Sequence, residues 1–292
     1  MDEQLTVEKI LELDNTELDV VLAIKEKGPV RTSSINKEFV HYRFMDKTGD
    51  IKGVHFSNNI ISEAETLLKD GDVCKIRGKI NTYNNIKQIK IKRIQKTTNY
   101  NEEDFVKTAD IDIDETMDHI HNIIDNLEDN EYQNILKAFF DDPDFVELYK
   151  TATAAKFFHH SYRGGLLQHS FEVLEMCRTL TKLYPVLDKS LLYAGALLHD
   201  IGKIEAYSTS IPYNITEKGR LLDHIYISAE KIKERSKDIL ISDEKLTQLL
   251  HIILSHHGPK ANGWGSTVDP LSKEAIAVHY ADDLSSKIAK EK

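Results

Sequence analysis

Cysteine is nearly absent: only Cys74 and Cys177 occur among 292 residues. They fall in different parts of the chain, which argues against a disulfide-stapled fold. Long apolar runs are also missing. The longest, Leu191 to Leu198, is far too short to cross a bilayer. The N-terminal Met-Asp-Glu-Gln-Leu-Thr-Val-Glu is acidic and carries no signal-peptide pattern, so the expected location is the cytoplasm, with no membrane partner. No internal repeat or low-complexity tract stands out. What the chain does have is a hydrophobic content of 40%, enough for packed cores, in a length that suits two ordinary domains.

Acidic residues outnumber basic ones, and the net charge of −10 on its own disfavours a nucleic-acid partner. Its distribution matters more. Residues 1–97 hold 17 Lys and Arg against 15 Asp and Glu, whereas the remainder holds 21 against 33. Within 71–97, eight basic residues (Lys75, Arg77, Lys79, Lys87, Lys90, Lys92, Arg93, Lys96) face one acid, Asp72. Such a stripe reads either as an electrostatic footprint for a polyanion or as an edge hairpin whose lysines discourage aggregation.

Residues 18–95 read as short strands with one helix. Val20–Ile24, Phe39–Met45, Ile51–Phe56, Val73–Ile80 and Ile86–Ile94 carry strand character, and Ile60–Leu68 has helical spacing. Turn signals separate them at Asp46–Asp50, Lys69–Asp72 and Asn81–Asn85. The order β-β-β-α-β-β is that of a small OB barrel. The expected domains are an all-β OB-fold barrel over 1–97, a polar acidic linker over 98–114, and an all-α bundle over 115–292. Candidate helices in the bundle cover 115–127, 130–140, 164–183, 188–199, 223–237, 243–256 and 272–289.

Metal-grade residues are spread through the helical half: His169, the pair His199-Asp200, His224, the pair His256-His257, and Asp282. Successive members are 30, 24, 32 and 25 residues apart, about one helix plus its connection. Each helix of a bundle can then bring one ligand or pair to a common centre. Imidazole and carboxylate together suit Mn, Fe, Co or Zn, and no thiol belongs to the set. Asp283 is the alternative to Asp282 if the helical register shifts by one. His279 lies on nearly the same face as Asp282 and suits a supporting role, while His251 projects elsewhere.

The segment His199-Asp200-Ile201-Gly202-Lys203 resembles the adjacent His-Asp signature of the HD-domain metallohydrolases. His224, "SHHG" (255–258) and "ADDL" (281–284) follow in that family's order. The resemblance implies that His169, His199, Asp200 and Asp282 ligate one metal. Asp200 would bridge to a second ion held by His224 and His256, with His257 as a further candidate. Two such ions can share an activated water and clamp both sides of a phosphoryl displacement. Lys203, one turn beyond Asp200, can place its ammonium on a non-bridging phosphate oxygen. His159, His160 and Arg163 are candidates to line the substrate path.

Taken together, the halves resemble the YhaM-type exoribonucleases, in which an OB fold precedes an HD domain. The strings "HHSYRGGLLQHS", "HDIGK", "KGRLLDHI" and "LSHHG" carry the likeness. It implies a 3′→5′ exonuclease, assisted by Mn or Co, that acts on single-stranded RNA and in some members DNA, releasing nucleoside monophosphates. Three departures stand out: Asp223 where members usually have glycine, Ser285 near where they have another carboxylate, and a less typical loop after His257 through Gly263-Trp264-Gly265. The OB module offers Phe39, His41, Arg43, Lys75, Arg77, Tyr83, Lys87 and Lys90 as contacts, bases stacking on rings while lysines track phosphates. Alternatively, Tyr42, Phe44 and Phe39 are barrel core. Other readings are an HD hydrolase of free nucleotides or cyclic dinucleotides, and a single-strand or replication-region DNA-binding protein. A homo-oligomer is expected, since HD domains often pair and OB modules can reach across to a neighbouring subunit's site.

Overall fold

The structure is a computed structural model and describes residues 5–57, 61–105, 108–154, 162–208, 213–263 and 265–289. The chain divides into two compact units, Met1–Lys107 with Ser210–Asn214, and Thr108–Thr209 with Ile215–Lys292.

The N-terminal unit contains α1 (Val7–Glu12), β1 (Glu17–Lys27), β2 (Arg31–Thr32), β3 (Glu38–Asp46), β4 (Gly49–Phe56), α2 (Glu63–Thr66), β5 (Val73–Tyr83) and β6 (Ile86–Lys96). The strands run in the order β1-β5-β6-β4-β3, and β1 pairs again with β3, closing a five-stranded barrel. β2 merely extends the edge of β3. Among these described strands, only β4 and β6 pair in parallel. This is the OB topology, with α2 between its third and fourth main strands. Alternation drives it: Leu18, Val20, Leu22 and Ile24 of β1 point inward, as do Val40, Tyr42 and Phe44 of β3. The outward positions of β3, His41 and Arg43, are exposed.

Several boundaries differ from those expected; β5, for one, runs on to Tyr83 through residues expected in the Asn81–Asn85 turn. α1, which packs Val7 and Ile10 into the barrel core, carries too short an apolar pattern to stand out in sequence. β1 extends to Glu17 and Lys27 because polar ends on a paired strand still form ladder hydrogen bonds. The helix read from Ile60 is one turn long, since Ser62 caps it and turn residues follow Leu68. Asn58 to Ile60 lie outside the described residues. In the stretch that follows the barrel, Phe105 is buried against Ala23 and Val73.

The second unit is all-helical: α3 (Ile113–Asp125), α4 (Asn130–Phe140), α5 (Pro143–Thr151), α6 (Gly165–Leu183), α7 (Lys189–Leu198), α8 (Lys203–Ala206), α9 (Glu217–Arg235), α10 (Asp243–Ser255) and α11 (Lys273–Ile288). Seven of these nine begin on an Asp, Ser or Thr whose side chain accepts a first-turn N–H. α5 is not among the expected helices, although Asp142 as cap and Pro143 at the first position are its start signals. α9 begins at Glu217, a turn and a half earlier than expected, because a kink at Asp223 interrupts it. α7 is buried all round from Ser190 to Leu198, which makes it the central helix of the bundle.

Candidate metal centre

Central α7 delivers the site. His199 caps its C-terminus and Asp200 follows; both are buried. His256 likewise caps the C-terminus of α10. Helix C-termini expose unpaired carbonyls with partial negative charge, so two of them turned on one point favour a cation. The same carbonyls fix the rings. His199 Nδ1–H donates to Ala196 O at 2.9 Å and His256 Nδ1–H donates to Ile253 O at 2.7 Å. Each imidazole therefore keeps its Nε2 lone pair for the centre.

For His169, on α6, a side chain does this work. The His169 Nδ1–H donates to Ser285 Oγ at 3.0 Å, and Ser285 in turn donates to Glu172 Oε2 at 2.7 Å. The carboxylate that the sequence lacks at 285 is thus supplied from α6, through a serine. His224 follows the α9 kink and donates through Nδ1 to Asp223 Oδ1 at 2.8 Å. In each case a partner at Nδ1 orients the ring, as ligating histidines require.

Asp200 divides the arrangement in two. Its Oδ2 lies 3.5 Å from His169 Nε2, 3.3 Å from His199 Nε2 and 2.5 Å from Lys203 Nζ. Its Oδ1 lies 3.4 Å from His224 Nε2 and 3.6 Å from His256 Nε2. Asp282 Oδ1 is 3.0 Å from His169 Nε2, whereas Asp283 points away and pairs with Lys287. The His257 ring is 5.0 Å from that of His224. Two clusters of donor atoms result, His169-His199-Asp200 and His224-His256-His257.

These donors fit divalent metal. Asp200 Oδ1, His224 Nε2 and His256 Nε2 are buried without a hydrogen-bond partner among the described residues. An unsatisfied buried acceptor costs on the order of 1–3 kcal/mol, and three that face one another are tolerated where a cation can sit among them. Burial depresses His169, His224 and His256 below the usual imidazole range, despite their acidic neighbours. For His199 burial acts the same way but the Asp200 carboxylate outweighs it. Burial would raise Asp200 and Asp282, yet Lys203 and His169 respectively hold them well below the usual carboxylate range. Ionised carboxylates beside mostly neutral imidazoles are the ligating forms.

Backbone shape supports the cluster. A Cβ on Gly202 would lie 2.2 Å from His224 O, so glycine there lets α8 and α9 touch. Gly258 takes φ +87° against the His279 ring, and His279 Nδ1–H donates to His256 O at 2.8 Å. His279 thereby holds the turn that carries both late histidines. His251 serves a different purpose, since its Nε2 accepts the Leu271 N–H ahead of α11.

The remaining candidates separate. His159 and His160 lie outside the described residues, and Arg163 is exposed just before α6. On the barrel, Tyr42 and Phe44 stack inside the core. Phe39 is half-buried on the outer face, 5.3 Å from the His41 ring and 5.4 Å from exposed Phe56, a ring that nothing in its local sequence singles out. Tyr83 is 63% exposed. Much of the basic stripe is already paired. Lys75 and Arg77 meet Asp19, Lys92 meets Glu17, and Lys96 meets Asp72. Arg43 pairs with Asp50, and Lys87 donates to Leu11 O and Leu13 O at the end of α1. Among the described residues, Lys79, Lys90 and Arg93 of the stripe have no carboxylate partner, Arg93 donating instead to Gln95 Oε1. Sequence reasoning does not find Glu172 near the site, because it belongs to no recognisable string.

A model of the HD domain family matches residues 166–287. The 3′-5′ exoribonuclease YhaM of Bacillus subtilis is 34% identical over 281 residues, spanning 93% of this chain and 85% of that protein. Its Geobacillus namesake is 34% identical over 285 residues, spanning 93% and 83%. Among solved structures, the second OB-fold domain of replication protein A from Methanococcus maripaludis is similar over 32% of this chain and 97% of that domain, at 19% identity and a TM-score of 0.26. The HD domain entails dependence on divalent metal, for which this chain holds the donors. With a third of its residues shared over nearly its full length, the chain belongs to the YhaM family of 3′-5′ exoribonucleases.

Proposed function

We propose that this chain hydrolyses single-stranded RNA, and single-stranded DNA as a further substrate, from the 3′ end to nucleoside 5′-monophosphates. The observation that carries the reading is the Asp200 carboxylate, whose two oxygens serve two separate imidazole sets. His169, His199, Asp200 and Asp282 would hold one divalent cation, and Asp200, His224, His256 and His257 a second. Bound there, two such ions supply Lewis acidity and a water of lowered pKa. The ammonium of Lys203, at Asp200 Oδ2, puts fixed positive charge beside the centre, where a scissile phosphate gathers negative charge. Its burial excludes competing water. Manganese suits the mixed nitrogen and oxygen donors.

The outer face of β3 and β4 provides a stacking surface in Phe39, His41 and Phe56. On the neighbouring strands Val54 pairs with Lys90, and Lys90 with Lys79, setting the two unpaired lysines beside those rings to track phosphates. Two buried free cysteines suit the reducing cytoplasm. Burial pushes both thiols up to about 12, which leaves them unreactive near neutral pH. Ile276, Tyr280, Leu284 and Ile288 form an exposed apolar stripe on α11, which supports a homo-oligomer.

Incubation of a 5′-labelled single-stranded oligonucleotide with the protein and Mn²⁺ should give a ladder shortening from the 3′ end, for RNA and DNA in parallel. Asp200→Ala should bind the oligonucleotide without shortening it. Turnover of mononucleotides or cyclic dinucleotides alone would favour the free-nucleotide reading. Binding without turnover by either protein, under any divalent metal, would leave only a binding role.

A further inference from the structure

One backbone position in the site is strained. Asp223 adopts φ 64° and ψ 151° between helical turns of α9. Among the described residues, the other four non-glycine residues with positive φ are all asparagine, with φ between 48° and 61°. Asparagine enters the left-handed region readily, but positive φ with ψ near 150° belongs to a region that is essentially reserved for glycine. Glycine would therefore fit this kink better than aspartate does. A side chain retained under strain at a functional site points to a role that the side chain itself performs.

The carboxylate makes two contacts. Oδ1 accepts from Ile225 N at 3.0 Å, a cap that Asn or Ser could also supply, and from His224 Nδ1 at 2.8 Å. The second contact answers a local need. His199 and His256 are fixed by carbonyls at helix C-termini, and His169 by Ser285. His224 sits at the start of a helical stretch, where N–H groups rather than carbonyls are free, so its Nδ1–H must find a side-chain acceptor. With Nδ1 committed, Nε2 faces Asp200 Oδ1 with no hydrogen bond of its own.

We propose that Asp223 is a positioning residue that holds His224 in its ligating tautomer and sets the affinity of the cation shared by His224, His256 and His257. The inference rests on the two-cation reading above. A carboxylate partner also raises the basicity of a ligating imidazole, and loss of such a partner weakens metal binding by about 10–100-fold.

The test is calorimetric titration of the metal-free full chain with Mn²⁺, alongside thermal melts of the metal-free forms, for wild type, Asp223→Gly and Asp223→Asn. Wild type should bind two ions. Asp223→Gly should keep one at wild-type affinity and bind the other about 10–100-fold more weakly, with no loss of melting temperature, because glycine relaxes the backbone. Asp223→Asn, whose amide oxygen accepts the same bond without the charge, should fall between. Wild-type affinity for both ions in Asp223→Gly would overturn the assignment. Equal weakening of both ions with a lowered melting temperature would also overturn it, by making Asp223 a structural cap. A wild type that binds no Mn²⁺ would instead remove the metal-centre reading itself.

Discussion

At the scale of single residues, the centre is organised through the far nitrogen of each imidazole. Main-chain carbonyls serve His199 and His256, and side chains serve His169 and His224. A backbone partner cannot be mutated away, but a side-chain partner can. Ser285→Ala breaks the path from His169 to Glu172 and removes the hydroxyl that His169 Nδ1–H meets. We expect a loss of about 1–3 kcal/mol in urea unfolding. Mn²⁺ affinity should fall about 10-fold by calorimetry. Ser285→Thr keeps the hydroxyl and should restore the metal affinity. If Ser285→Ala binds Mn²⁺ as wild type does, the serine is mere packing.

At the scale of elements, the site depends on close approach of helices more than on their lengths. α8 has only four residues, yet it meets α9 at Gly202, whose N–H donates to Ser228 Oγ at 2.8 Å. A methyl group there would collide with main-chain atoms His224 O and Ser228 N, which cannot swing aside as a side chain does. Gly202→Ala should therefore separate α8 from α9, cost about 2–3 kcal/mol by urea unfolding, and displace His224. Loss of one of two bound Mn²⁺ ions would accompany it. A stable variant that retains both ions would show that the contact relaxes without consequence.

At the scale of the whole molecule, a net charge of −10 coexists with a polyanionic substrate because the chain distributes its charges unevenly. On the barrel, pairing reduces the free charge further. Lys75, Arg77 and Lys92 meet exposed carboxylates, pairs that add little stability, and Lys96 meets buried Asp72. Lys79, Lys90 and Arg93 remain to release counterions on binding. For oligouridylate, binding should weaken with salt, and Lys90→Ala should lower the slope of log affinity against log salt by about 0.7. Lys75→Ala should change it less. Phe56→Ala should weaken binding about 5-fold or more at every salt concentration, since stacking is insensitive to counterions. Equal slopes for wild type, Lys75→Ala and Lys90→Ala would place the nucleic acid on another face.

The sequence by itself determined the two fold classes, the order of the elements and the kinds of atom in the centre. Local strings decide these: alternation makes strands, capping residues start helices, and the spaced His and Asp residues advertise their chemistry before any packing is known. Short or kinked elements escaped, as α1, α5 and the first turns of α9 did, because a few residues give periodicity too little room. Only the tertiary structure decided which oxygen of Asp200 meets which imidazole, that Asp282 rather than Asp283 faces His169, and that Glu172 reaches it through Ser285. It alone neutralised most of the basic stripe and strained Asp223. Each of these depends on atoms distant in the chain meeting within a few ångströms, and a linear sequence does not carry that distance.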